Sequence, residues 1–232
     1  MEYAVAVPPI HTLAIAGQSA VFPVNRIFCI GRNYEAHARE MGSDPEREPP
    51  FFFMKPSCAT VAVSDAGVTI AYPPKTANLH HEVELVVAIG AGGANIATSQ
   101  ALQHVYGYGV GLDMTRRDLQ ALAKDKGRPW EFGKSYTQSA PMGPLHRVQD
   151  IGHVGSASIS LSVNDVARQS SNIDMVIWSV AESIAYLSQY ETLQAGDIIM
   201  TGTPEGVKAV VPGDVMRAAI EGLGQIVVRI GG

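Results

Sequence analysis

The stretch LHHEVELVV, residues 79–87, decides how the sheet of this chain is built. It has the length and apolar content of a buried β-strand, but Glu82 and Glu84 interrupt it. Side chains alternate between the two faces of a strand, so both glutamates project to one face while Val83 and Leu85 project to the other. Two carboxylates a few ångströms apart in a half-buried setting repel each other, and a divalent cation would neutralise that repulsion.

A third acid ends the next apolar strand. The stretch GYGVGLDMT, residues 107–115, is small and apolar up to Asp113, where the strand meets a predicted helix start. Glu82, Glu84 and Asp113 form an oxygen-only ligand set that suits Mg²⁺ or Mn²⁺ and leaves coordination positions for water and substrate. We therefore predict a metal site made of these three acids.

Three different interpretations stay open at this point. The glutamates could face water on an edge strand. His80 lies on the same face by parity and could be a fourth ligand, although a packing role is more common for such a histidine. The stretch VVAIGAGGANI, residues 86–96, could be a nucleotide-binding loop with Asp113 as its ribose ligand, but its sixth fingerprint position is Asn95.

Acid–base residues are predicted in two further stretches. In GRNYEAHARE, residues 31–40, His37 and Glu40 lie three apart on a predicted short helix that ends at Gly42, so they can form a hydrogen-bonded pair that makes the imidazole more basic. Lys134, in the aromatic stretch WEFGKSY, could stabilise a developing enolate. An exposed helix face and a surface lysine are the competing interpretations.

The composition is that of one globular domain. Of 232 residues, 46% are hydrophobic and 17% are charged, which suits a strand-rich enzyme and excludes a disordered chain. The net charge of −5 gives no basic field for nucleic acid or an anionic membrane. Cys29 and Cys58 form no CxxC pair and the N-terminus lacks a signal-peptide pattern, so we expect a cytoplasmic protein without nucleic-acid or membrane partners.

Strands outnumber helices and most are separated by turns, which predicts a mixed α/β, β-rich fold. Residues 1–22 are predicted to form an N-terminal hairpin extension, and residues 23–232 a catalytic domain. Asn164-Asp165 is predicted as a hairpin turn. Helices are predicted from an N-cap at Thr115 to a stop at Gly127 and over residues 173–190.

Together these stretches resemble the fumarylacetoacetate hydrolase family, in its small branch of acylpyruvate and fumarylpyruvate hydrolases. The matching pieces follow the family order over most of residues 26–215; they are GRNYEAHARE, PFFFMKPS, LHHEVELVVAIG, GLDMTRRDLQ, GRPWEFGKSY and GDIIMTGTPEGV. The resemblance implies a mixed β-roll or β-sandwich core with short peripheral helices, a homodimer, and Mg²⁺ or Mn²⁺ held by the three acids already named.

The resemblance also implies roles for other residues. The segment from His37 to Glu40 would be a lid over bound substrate, and Lys134 and Gln120 would line the site. Substrate carboxylate or oxo groups would contact a further set: Arg32, Lys55 and Thr203. The expected activity is hydrolysis of the carbon–carbon bond of a 2,4-dioxo acid, either fumarylpyruvate or acetylpyruvate. Oxaloacetate decarboxylation, hydroxydienoate isomerisation and a catalytically silent binding protein are the competing functions.

Overall fold

The computed structural model of the chain describes residues 2–40 and 48–232, and within them strands outnumber helices. The strands are β1 (Thr12–Ala14), β2 (Val21–Pro23), β3 (Ile27–Gly31), β4 (Phe51–Lys55), β5 (Thr60–Ala62), β6 (Val68–Ala71), β7 (Leu79–His80), β8 (Val83–Ile89), β9 (Val105–Leu112), β10 (Thr115–Arg116), β11 (Ala140–Met142), β12 (His146–Arg147), β13 (Ser158–Val163), β14 (Val166–Asn172), β15 (Ile198–Met200), β16 (Ala209–Val210), β17 (Val215–Ile220) and β18 (Gly224–Gly231). The helices are α1 (Glu35–Glu40), α2 (Thr98–Ala101), α3 (Arg117–Asp125), α4 (Glu131–Lys134), α5 (Val148–Ile151) and α6 (Val180–Leu187), with 3₁₀ turns at Ser57–Ala59 and Leu102–His104. The predicted mixed α/β, β-rich fold with short helices is confirmed.

Two sheets carry most of the chain. The larger has the order β4-β3-β15-β8-β9-β11-β5, with β12 paired to β9, and the second has the order β14-β13-β17-β18-β6. Two smaller sheets have the orders β10-β7-β16 and β1-β2. Strand β8 lies in the middle of the larger sheet, hydrogen-bonded to β15 on one side and to β9 on the other. The two glutamates therefore do not lie on an edge strand.

The alternation of side chains along β8 separates two cores. Val83, Leu85 and Val87 join the main hydrophobic cluster, which also contains residues of β13, β17 and β18 and so lies between the two large sheets. Val86 and Ala88 point to the other face and join a second cluster with residues of β1 and β2. Because both faces are covered, any polar side chain on this strand is held away from bulk water.

The two predicted hairpins are present. Strands β1 and β2 pair antiparallel, with Leu13 opposite Phe22. Strands β13 and β14 are joined at Asn164-Asp165, both with positive φ, which is the conformation that a two-residue hairpin turn requires. The division into an extension at residues 1–22 and a catalytic domain at 23–232 stays a prediction.

The long helix predicted over residues 173–190 is wrong, because α6 covers only Val180–Leu187. It begins at a capping box in which the Ser179 side chain and Glu182 bond each other's backbone N–H. Before this cap, the backbone N–H of Ile177 donates to the Asn33 carbonyl instead of to a helical partner.

Thr115 is not an N-cap, since it lies in β10 and pairs with His80. The helix it was predicted to start does stop near Gly127, whose φ is +59°. The predicted end of α1 at Gly42 lies outside the described residues.

Candidate active site

The start of one strand and the end of its neighbour bring the predicted metal ligands together. Glu82 immediately precedes β8, Glu84 lies within it, and Asp113 follows β9 directly. Because β8 and β9 are antiparallel, with Val83 opposite Leu112, the start of one strand meets the end of the other. One carboxylate oxygen from each acid lies within 4.8 Å of the others, and all three side chains are buried.

Three cations surround these carboxylates. Lys134 Nζ lies 2.7 Å from Glu82 Oε2 and 2.6 Å from Asp113 Oδ2. Arg117 Nη2 donates to Glu82 Oε1, and Lys55 Nζ lies 2.8 Å from Asp113 Oδ1. Three negative and three positive side chains balance formally, so a bound divalent cation would leave the cluster with a positive charge that favours an anionic substrate.

The positive charges are not shared evenly among the three acids, and the pKa values of Glu82 and Glu84 show the difference. Burial alone would raise the pKa of Glu82, but Lys134 and Arg117 outweigh it and hold that pKa well below the ordinary value. Burial raises the pKa of Glu84 well above the ordinary value, and the nearby charges of Asp113 and Glu82 raise it further. In the metal-free site these effects favour the protonated form of Glu84 and the ionised form of Glu82.

The residues fit a hard divalent ion. Of the residues that the structure describes, only Gly202 donates a hydrogen bond to the Glu84 carboxylate, from its backbone N at 2.7 Å to Oε2. Asp113 Oδ1 is buried and accepts no well-angled hydrogen bond from the described residues, although it is ion-paired with Lys55. Buried carboxylate oxygens with unused acceptor capacity are what Mg²⁺ or Mn²⁺ requires.

Of the predicted acid–base pair, His37 lies on the cavity wall, whereas Glu40 contacts His37 but is not part of that wall. His37 Nδ1 is 3.3 Å from Glu40 Oε2, and the backbone N of Gly206 donates to the same oxygen at 3.1 Å. Burial lowers the pKa of His37 below the ordinary value, and the hydrogen bond to Glu40 only partly opposes this. The imidazole is therefore neutral at pH 7 and can accept a proton.

One cavity joins His37 to the acids. The predicted site residues on its wall are His37, Glu82, Glu84, Asp113, Lys134, Arg32, Gln120 and Thr203. Arg32 is exposed at this wall, and its φ is +59°. The sheet thus brings together residues that are more than 160 positions apart in the sequence, such as Arg32 and Thr203.

Lys55 lies elsewhere, behind Asp113. Its ammonium is fully buried and bonded to the Lys134 carbonyl and, at 3.0 Å, to Ser139 Oγ, as well as being paired with Asp113. It is absent from the described cavity wall. This placement suits a residue that holds Asp113 and the Lys134 backbone, and the predicted contact with substrate stays untested.

Arg117 is a cavity residue that was not predicted from the sequence. It is buried, pairs with Glu82, and donates to Gln120 Oε1 at 2.5 Å. The available signal was its spacing of three from Gln120 on one helix, which places both on the same face. The neighbouring Arg116 packs on the ring of Tyr136, with its guanidinium carbon 4.2 Å from the ring centroid.

Geometry argues against both His80 as a metal ligand and a nucleotide-binding loop. The ligand cluster found among the described residues does not include His80, whose Nε2 lies 2.9 Å from Asn78 Oδ1 and whose pKa burial lowers to about 4. The glycine stretch at residues 90–93 is not a nucleotide loop, because Gly93 exchanges two backbone hydrogen bonds with Leu193 and Asp113 belongs to the acid cluster.

Comparison with known proteins identifies the architecture. The family model described as fumarylacetoacetate (FAA) hydrolase C-terminal matches residues 26–231. A crystal structure of fumarylpyruvate hydrolase from Pseudomonas aeruginosa, in complex with Mn²⁺ and pyruvate, is 53% identical and superposes with a TM-score of 0.98, covering 99% of both chains.

Curated relatives include enzymes of more than one activity. A fumarylpyruvate hydrolase of a Ralstonia species is 47% identical over 188 residues, which is 81% of this chain and 96% of the relative. A mitochondrial oxaloacetate tautomerase of Oryza sativa subsp. japonica is 37% identical over 211 residues, 91% of this chain and 93% of the relative. Within the described residues no helix is long and apolar enough to cross a membrane.

Proposed function

Because the chain belongs to the fumarylacetoacetate hydrolase family, we propose that it is a metal-dependent hydrolase that cleaves fumarylpyruvate to fumarate and pyruvate. The observation that carries this proposal is the single cavity in which a neutral His37 faces the three-acid cluster. The similarity to the fumarylpyruvate hydrolases of a Ralstonia species and of Pseudomonas aeruginosa supports the choice of substrate. Acetylpyruvate is a second substrate of the same 2,4-dioxo acid class.

Glu82, Glu84 and Asp113 would hold Mg²⁺ or Mn²⁺. When bound, this ion supplies a Lewis acid that draws electron density towards the pyruvate half of the substrate. Lys134, Arg117 and Lys55 keep the Glu82 and Asp113 carboxylates in place and neutralise their charge. The positive charge that remains after ion binding favours an anionic 2-oxo acid.

His37 is the general base. Glu40 faces Nδ1 and so leaves Nε2 to take a proton from water. The oxygen of this water adds to the carbonyl carbon at position 4, and the bond between carbons 3 and 4 then breaks. Its electron pair leaves with the pyruvate half as an enolate, which the Lys134 ammonium stabilises until a proton returns to carbon 3.

The cavity wall supplies candidate substrate contacts. Gln120 and Thr203 lie beside the acid cluster, where the carboxylate and oxo groups of the pyruvate half would bind. Arg32 is exposed on the same wall and is suited to the distal carboxylate of the fumaryl half. Lys55 acts through Asp113 in this proposal.

Oxaloacetate is the second candidate substrate, since an oxaloacetate tautomerase matches most of the chain. That chemistry moves a proton and uses no attacking water. His37, which is buried and bonded to Glu40, suits water activation and favours hydrolysis.

We also propose a cytoplasmic homodimer that acts in the breakdown of aromatic compounds. Unpaired Cys29 and Cys58 fit a reducing compartment. Size-exclusion chromatography with light scattering tests the dimer, and a monomer at micromolar concentration would contradict it.

A substrate panel tests the activity. Fumarylpyruvate, acetylpyruvate and oxaloacetate are each incubated with the protein in Mn²⁺ or EDTA, while pyruvate release and the keto–enol conversion of oxaloacetate are followed. We expect Mn²⁺-dependent release that is fastest from fumarylpyruvate and lost in His37→Ala but kept in the matched control His11→Ala. Faster turnover of oxaloacetate, unaffected by His37→Ala, would overturn the proposal.

A further inference from the structure

Gln169 is a buried side chain on an otherwise exposed stretch of strand β14. Residues Val166 to Arg168 and Ser170 are exposed, whereas Gln169 is 1% exposed. The register of β13 against β14 shifts here, since Leu161 faces Gln169 and Ser162 faces Ala167, which leaves Arg168 as the extra residue of a β-bulge. Bulges re-aim side chains, and this one turns Gln169 towards the active site.

Backbone partners fix the orientation of the Gln169 amide. The N–H of Val83, which can only donate, lies 3.2 Å from Oε1, and the carbonyl of Pro204, which can only accept, lies 2.8 Å from Nε2. His81 Nδ1 is also 2.9 Å from Oε1, so the hydrogen of that imidazole sits on Nδ1. The amide oxygen is therefore saturated, and the amide cannot flip without losing these bonds.

The remaining hydrogen of the amide goes to Thr203. Gln169 Nε2 donates to Thr203 Oγ1 at 2.8 Å, so this hydroxyl oxygen acts as an acceptor on that side. None of the residues that the structure describes accepts a hydrogen bond from the Thr203 hydroxyl, and Thr203 lines the cavity beside the three acids. The hydroxyl hydrogen is thus left to point into the cavity.

We propose that Gln169 is a positioning residue that makes Thr203 an obligatory hydrogen-bond donor to a substrate oxygen. This inference rests on the proposed function, because it assumes a 2-oxo acid in the cavity. It restricts the group bound there to a pure acceptor, a carboxylate or carbonyl oxygen, and it disfavours a ligand hydroxyl that must donate. Val83 lies between Glu82 and Glu84, so the same amide also fixes the backbone between two metal ligands.

The test is a double-mutant cycle read out by pyruvate binding. Dissociation constants for pyruvate are measured by calorimetry in saturating Mn²⁺ for the wild type, Gln169→Glu, Thr203→Val and the double variant. A carboxylate at position 169 can only accept, so the Thr203 hydroxyl turns towards it and no longer donates to the ligand. We expect each single variant to weaken pyruvate binding roughly 10- to 100-fold, the usual loss for a hydrogen bond to a charged group.

Coupling and rescue separate positioning from a structural role. In the Thr203→Val background, Gln169→Glu should change binding by less than about 2-fold, because its effect passes through the missing hydroxyl. Thr203→Ser should restore most of the affinity. Gln169→Met removes the amide without burying a charge and should weaken binding less than Gln169→Glu, since the hydroxyl is then free to point either way. The exposed Gln225→Glu is the charge control.

The affinity for Mn²⁺ alone and the melting temperature show whether each variant is folded. If the losses of pyruvate affinity caused by Gln169→Glu and Thr203→Val multiply in the double variant, the two residues act independently and the inference is overturned. Wild-type affinity in Gln169→Glu would overturn it as well. A wild type that cleaves no dioxo acid and binds no pyruvate would overturn the proposed function together with it, whereas a wild type that binds pyruvate while the variants fail to couple would overturn only the role of Gln169.

Discussion

At His37, burial decides which protonation state is present at neutral pH. The lowered pKa leaves the ring neutral, so the base is ready without prior deprotonation. A base works only when deprotonated, hence activity falls as the pH drops through this pKa, and we expect the acid limb of kcat/KM to lie below pH 6.5. The pH profile of fumarylpyruvate cleavage checks this expectation.

A substitution of Glu40 also tests the role of His37 as the base. Its hydrogen bond raises the pKa of His37, so Glu40→Gln should move the acid limb to still lower pH and reduce the maximal rate roughly 10- to 100-fold. An acid limb that moves up in pH would contradict the role of Glu40.

His37→Ala should lower the rate of hydrolysis about 10²–10⁴-fold, while the affinity for Mn²⁺ stays near that of the wild type.

Glu82 and Glu84 should respond differently to the loss of charge. Glu82→Gln leaves Arg117 without its buried partner and weakens the pairing of Lys134, which should cost roughly 3–5 kcal/mol of unfolding free energy. Glu84→Gln replaces a carboxyl whose raised pKa favours the neutral form in the metal-free protein, so its cost in EDTA should be under about 1 kcal/mol. Both variants should lose Mn²⁺-dependent turnover.

Urea unfolding in EDTA at several pH values measures this contrast. A raised native pKa contributes stability that is present below the unfolded value of 4.5 and is lost as the pH rises through the native pKa. The wild type should therefore lose stability relative to Glu84→Gln as the pH rises above 4.5. Equal destabilisation by the two glutamine variants would refute the assignment of charge.

Among the elements, those whose signal is local could be predicted from the sequence. Strand β8 and the turn at Asn164-Asp165 follow from alternation and from residues that tolerate positive φ. The length of α6 could not be read from periodicity, because the backbone before Ser179 is held by Asn33, far away in the chain. The sequence S-x-x-E at Ser179 was the local signal for the true start.

The turn TGTPEG, residues 201–206, depends on the close approach of one glycine. Gly206 has a φ of +94°, and a Cβ placed there would overlap the Arg168 carbonyl oxygen. Gly213 has the same φ of +94° but open space around it, so Gly213→Ala is a matched control for backbone strain. We expect Gly206→Ala to lower the unfolding free energy by at least about 2 kcal/mol more than Gly213→Ala does.

Activity should separate these two variants as well. Gly206 donates its N–H to Glu40 and lies against the β-bulge that carries Gln169. Gly206→Ala should therefore disturb both the His37–Glu40 pair and Thr203. Gly213→Ala should keep the wild-type kcat. If both variants showed the same loss of stability and activity, strain at positive φ would be the whole effect and the close approach would be irrelevant.

Across the whole molecule, the site is assembled from segments that no local pattern connects. The three acids were predictable because strand parity and strand ends are local features. The pairing of Arg117 with Glu82 and the link from Gln169 to Thr203 depend on the packing of α3 and of the second sheet, which sequence spacing does not specify. The number of charged residues could be counted from the sequence. The sequence could not predict that the pKa of Glu82 is lowered while that of Glu84 is raised, because these shifts depend on which cations pack against each carboxylate.

Metal binding should therefore stabilise the entire fold. The acids join the two central strands of the larger sheet, and an ion that binds only the folded chain adds RT ln(1 + [M]/Kd), about 2.7 kcal/mol at one hundred times Kd. For a chain of this size that raises the melting temperature by about 5–10 °C.

Differential scanning calorimetry in EDTA and in Mn²⁺ measures the shift. Glu84→Gln should melt at or above the wild type in EDTA and lose the shift in Mn²⁺, whereas Glu191→Gln, which changes an exposed carboxylate away from the cavity, should keep it. An unchanged shift in Glu84→Gln would place the ion elsewhere, and no shift in the wild type would remove the ion from the site.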